Sequence, residues 1–105
     1  MFPQRKLFVS VGTPLKSPTE FQQALDKGLA KEETLYLGEL QKQGKLHFAG
    51  VWADYTGGMM FWDVPSLTEA QTIVRNQPVV KAGFISNDVK EFIAVDYAAG
   101  MGPGK

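Results

Sequence analysis

The sequence predicts an α+β domain built on a ferredoxin-like β-α-β-β-α-β unit, with both helices on one face of a four-stranded antiparallel sheet. Three observations carry that prediction. Stretches rich in β-branched and aromatic residues alternate along the chain with stretches of helical period. Two helical stretches open on the same capping-box spacing, Ser17 with Glu20 and Ser66 with Glu69. The two central strand candidates are separated only by the turn-forming Thr-Gly-Gly at 56–58, which joins them as a hairpin.

Each element follows from its own residues. KLFVSV, Lys6 to Val11, is apolar and β-branched enough for a first strand, and Gly12, Pro14 and Pro18 mark the loop after it. The helical stretch opened by Ser17 runs through Phe21, Leu25 and Leu29 to Gly44, which stands where a C-terminal cap belongs. Gly28 and Gly38 weaken one unbroken helix, so the spacing predicts a short helix, a break near Gly28 and a second helix from about Lys31. LHFAGVWAD, Leu46 to Asp54, is the second strand, and MMFWDV, Met59 to Val64, returns as the third before Pro65. The next helix has its apolar positions at Leu67, Ala70, Ile73 and Val74, and Gln77-Pro78 closes it. After VVKAG, the segment Ser86 to Val95 is the last strand, with Val89, Glu91, Ile93 and Val95 alternating against Lys90, Phe92 and Ala94.

These elements make a single domain over residues 1–97. Residues 98–105, with three glycines and a proline, are expected to form a flexible tail. A chain of 105 residues buries little surface alone. The sheet face away from the helices needs a cover if Phe8, Trp62 and Phe92 are not all to stand in water. Pairing of two sheets in a homodimer is the predicted solution.

Composition removes several function classes. Lys plus Arg equals Asp plus Glu at 11 each, which argues against nucleic-acid partners, whose binding feeds on excess positive charge. The absence of cysteine excludes disulfides, thiolate catalysis and cysteine-bound metal, and fits a cytoplasmic location. No apolar run approaches the roughly 20 residues that cross a bilayer, so no membrane partner is expected. His47, the lone histidine, falls opposite Trp52 in the strand alternation and reads as an interface residue. No cofactor or metal is expected, because no His, Asp or Glu cluster has ligand spacing. A haem or quinone monooxygenase has only His47 as a candidate ligand.

One position carries the candidate chemistry. Leu29, Glu33, Tyr36, Leu37 and Leu40 share one helical face at i, i+4, i+7, i+8 and i+11, which places a glutamate inside an apolar stripe. On the second strand, Leu46, Phe48, Gly50, Trp52 and Asp54 alternate against His47, Ala49, Val51, Ala53 and Tyr55. If the bulkier set faces the helices, Asp54 looks toward Glu33, and Tyr36, Phe48 and Trp52 line a substrate-binding cleft between them. Two carboxylates in an apolar cleft suit catalytic proton transfer, because desolvation and repulsion raise the pKa of at least one. Simpler readings compete. Glu33 can reach solvent or bond a backbone amide, Asp54 can bond its own turn, and a bulge at Gly50 would flip the strand register.

GKLHFAG at Gly44 to Gly50, then Asp54, the capped helix and QPVVKAGFISNDVKEF at Gln77 to Phe92 resemble the YCII-like family over roughly residues 6–95. That resemblance implies a dimeric α+β barrel and an acid/base pair made of a helix histidine and an aspartate after the second strand. Asp54 matches the aspartate, while Glu33 stands where the histidine is expected. FWDVPS at Phe61 to Ser66 is similar to a segment of muconolactone isomerases, which also carry a glutamate in the corresponding helix, although Val51 stands where their arginine is expected. The implied activity is isomerisation or elimination of a cyclic or aromatic small-molecule substrate without a cofactor. The alternative is a non-catalytic dimeric module that binds a small ligand or a protein.

Overall fold

The computed structural model describes residues 4–98. In chain order the elements are β1 (Gln4–Pro14), α1 (Pro18–Ala24), a wide helical turn (Leu25–Leu29), α2 (Ala30–Lys42), β2 (Leu46–Val51), β3 (Gly58–Trp62), α3 (Leu67–Arg75), α4 (Pro78–Lys81) and β4 (Ile85–Val95). The strands form one antiparallel sheet in the order β2-β3-β1-β4, and the fold is the ferredoxin-like α+β unit. Residues 1–3 and 99–105, which include nearly all of the expected tail, lie outside the described residues.

Local chemistry explains the element boundaries. Ser17 Oγ accepts from the Glu20 amide at 3.2 Å and Ser66 Oγ from the Glu69 amide at 3.1 Å, so both serines cap their helices. The helical stretch breaks at Gly28, whose φ of +124° is open to glycine and strained for other residues. Gly38, by contrast, sits inside α2 without interrupting it. The short α4 differs from the expected plain link: Pro78 begins it, and Ala82 donates back to Pro78 O at 3.0 Å.

The core lies between the sheet and the helices. Phe8, Leu46 and Trp62 come from the sheet, Val64 from the segment after β3, and Ala70, Ile73 and Val74 from α3. Tyr36, Leu37 and Leu40 of α2 pack against them. Trp62 is fully buried, and its indole Nε1 donates to Ser10 Oγ at 2.9 Å. Phe8 pairs with Trp62 and Ser10 with Met60 across β1 and β3, so all four side chains point into this layer. Two of the three aromatics expected to need a cover, Phe8 and Trp62, are therefore already sealed by the helices.

The face away from the helices carries different aromatics. Phe61 lies 5.8 Å from Phe48 and 5.4 Å from Phe92 between ring centroids. Phe48 arrives there because β2 bulges at His47. Leu46 pairs with Trp62, and Phe48 pairs with the adjacent Phe61. One extra residue on β2 turns every later side chain over. Leu46 thus enters the core while Phe48 stands 61% exposed on the open face. Phe48 does not wall the helix-side cleft, as strict alternation had predicted.

Candidate active site

Glu33 sits where the stripe spacing puts it, half-buried beside residues that pack on the core. Its side chain reaches across to the junction between α3 and α4. Oε1 accepts a hydrogen bond from the Val79 amide at 3.3 Å. Burial pushes the Glu33 carboxyl above the usual carboxylate range, and the Val79 bond opposes that push only in part. A turn further along α2, the Tyr36 hydroxyl donates to Ile73 O at 2.7 Å. Burial, and then the charge of Glu33, raise the Tyr36 pKa. The two side chains therefore share one electrostatic environment, as expected three residues apart on a helix.

A residue that the sequence marks only as a helix stop completes this layer. Gln77 is 1% exposed, and its Nε2 donates to Met60 Sδ at 3.1 Å. Its place between Ile73, which binds Tyr36, and Val79, which binds Glu33, brings a third polar side chain to the same junction. Its sequence signal is a glutamine directly before the proline of α4.

Asp54 has a different setting. β2 ends at Val51, so Trp52 and Asp54 belong to the hairpin connection and not to the strand. Asp54 Oδ1 accepts from the Thr56 amide at 3.1 Å and from the Thr56 hydroxyl at 2.6 Å. These bonds hold the fully exposed Asp54 carboxyl below its usual range. This is turn chemistry of the Asx type, helped by Tyr55 at φ +61° and Gly57 at φ +133°. A Cβ on Gly57 would run into the Gly12 carbonyl oxygen. Trp52 is 46% exposed at the base of this turn, and His47 is exposed at the bulge.

The structure therefore brings Glu33 and Tyr36 together, leaves Asp54 bonded within its own turn, and puts Phe48 on the opposite face of the sheet. Among the described residues no group of three His, Asp or Glu is placed to hold a metal ion. No helix of the described residues is long and apolar enough to cross a membrane.

A model of the YCII-related domain matches residues 15–93, well over half of the chain. The chain belongs to the YCII family. The match runs from the loop before α1 into β4 and includes Glu33, Tyr36, Asp54 and Gln77. Among solved structures, this YCII-family chain is similar to 5-chloro-2-hydroxyhydroquinone dehydrochlorinase from Burkholderia phenoliruptrix AC1100 in complex with 2,5-dihydroxybenzoquinone. The two share 23% identity over 80% of this chain and 90% of that one, with a TM-score of 0.61. It is also similar to a muconolactone isomerase, at 20% identity over 82% of this chain and 86% of that one, with a TM-score of 0.62. At these identities the likeness is one of fold. A search of curated proteins gives no match.

Proposed function

We propose that this YCII-family protein is a small cofactor-free acid/base enzyme, of isomerase or dehydrohalogenase type, acting on a cyclic or aromatic metabolite. The observation that carries the reading is Glu33: a carboxyl kept in an apolar layer, anchored by one amide and raised in proton affinity. Burying an acid there costs stability unless it is neutral or well paired. A carboxyl that retains its proton nearer to neutrality is suited to donate it. Asp54, which stays ionised, is assigned the complementary role of proton acceptor, carried to the substrate at the tip of the β2–β3 hairpin. Environments that separate the proton affinities of two carboxyls in this way divide acid from base.

The remaining residues have binding roles in this reading. The Tyr36 ring and Trp52 offer flat apolar surfaces to a ring substrate. Phe48 contributes from the other face, where with Phe61 and Phe92 it forms the surface for a second copy of the chain. Support for the homodimer comes from Phe48 and Phe92, which stand exposed on that face on either side of the half-buried Phe61. Support for the chemistry comes from two neighbours of the same fold named as a dehydrochlorinase and a lactone isomerase.

The test is turnover of chlorinated hydroquinones and unsaturated lactones by wild type and Glu33→Gln. Loss of about two orders of magnitude or more in rate is the expected result. Equal turnover would remove Glu33 from the mechanism. The hydrogen bonds between Asp54 and Thr56 favour a second reading, a ligand-binding dimer in which the aspartate only shapes its turn. On that reading Glu33→Leu stabilises the fold and no substrate in the panel is consumed.

A further inference from the structure

We propose that Gln77 is an oxygen-binding residue of the Glu33 site: its carboxamide N–H leaves Met60 Sδ and donates to a carbonyl or enolate oxygen of the bound ring. This rests on the reading of Glu33 as the site's acid. Among the described residues two polar side chains are buried, Ser10 and Gln77. Ser10 has a structural duty, since its hydroxyl accepts the Trp62 indole bond at 2.9 Å. Gln77 has no comparable one. It precedes α4 in the capping position, yet its side chain makes no cap hydrogen bond. Its backbone, not its side chain, ties it into the junction: Gln77 N donates to Val74 O at 3.2 Å, while Gln77 O accepts from Val80 at 3.0 Å and Lys81 at 2.9 Å.

What the side chain does have is a thioether. Nε2 donates to Met60 Sδ at 3.1 Å, and a thioether sulfur is a weak acceptor. A buried amide satisfied so poorly gains most from an oxygen acceptor, because the energetic cost lies in leaving a buried donor unmade. Its location says which oxygen. Glu33 binds the Val79 amide two residues after Gln77, and Tyr36 binds the Ile73 carbonyl one turn before it. In this proposal a ring that receives a proton from Glu33 extends along the junction to the Gln77 amide. An N–H there holds an oxygen on which negative charge gathers as a neighbouring C–H is lost. Met60, flexible and polarizable, yields the amide without a gap in the core.

The experiment is a titration of the nitrogen-15-labelled full chain with 2,5-dihydroxybenzoquinone and, separately, with muconolactone. The expected result is a downfield shift of the Gln77 side-chain amide protons that saturates together with the Val79 backbone amide. Gln77→Leu should then weaken binding about tenfold or more, while Met60→Leu should leave it unchanged or tighter. Movement of the Val79 amide with the Gln77 side chain silent, or wild-type affinity in Gln77→Leu, overturns the role of Gln77 and leaves the Glu33 reading standing. Silence of Val79, Gln77 and α2 with both probes overturns the two together. The wild-type titration decides even if Gln77→Leu does not fold.

Discussion

The helix-side layer around Glu33 and the hairpin tip around Asp54 carry the same functional group and treat it in opposite ways. Glu33 is drawn into an apolar layer and finds one amide, so its proton is held more tightly. Asp54 stands in water with a hydroxyl and an amide on one oxygen, so its proton leaves more easily. Solvent and hydrogen-bond donors, and not the choice of carboxylic residue, set the direction in which each proton affinity moves.

The largest expected effect on that comparison is catalytic. Glu33→Gln and Asp54→Asn should each slow turnover by about two orders of magnitude or more if both move the proton. A drop confined to Glu33→Gln would reduce Asp54 to a turn former. Stability separates the regions next. Trp62→Ala empties the centre of the layer that supports Glu33 and should cost about 3–5 kcal/mol in denaturant unfolding. Ser10→Ala leaves the buried indole N–H of Trp62 unmade and should cost about 1–3 kcal/mol by the same measurement.

The pH dependence of unfolding has opposite signs in the two regions. The folded-state pKa of Glu33 lies above its ordinary 4.5, so its contribution to stability is complete below that value and is lost as pH rises through the folded pKa. Glu33→Gln should abolish this loss and unfold at higher denaturant than wild type at neutral pH. The folded-state pKa of Asp54 lies below its ordinary 3.8, so its contribution is present above that value and is lost as pH falls through the folded pKa. Being fully exposed, it should give the smallest effect, seen only as a slight flattening of the acid limb in Asp54→Asn.

Much of this contrast was legible in the residues, and the rest fails for identifiable reasons. The capping serines, the break at Gly28 and the Thr-Gly-Gly turn are local chemistry: α1 and α3 begin directly after their serines, the helical stretch breaks at Gly28, and the chain reverses into β3 at Gly58. Glu33 inside an apolar stripe follows from helical period alone. The bulge at His47 does not, because Leu46 and Phe48 are both bulky and apolar and alternation cannot register one extra residue between them. The same blindness extended β2 to Asp54, although the strand stops at Val51 and the aspartate bonds its own loop. Gln77 was legible as a helix stop but not as a buried side chain, since burial before a proline depends on how α4 folds back over the sheet.

Carbon-13 titration of the Glu33 side-chain carboxyl in the wild-type protein shows whether burial holds its proton. The expected midpoint lies above 4.5, with the Val79 amide and the Tyr36 hydroxyl resonances moving at the same pH. A midpoint at or below 4.5 would contradict that expectation, leaving Glu33 an ordinary ionised side chain with no proton to give.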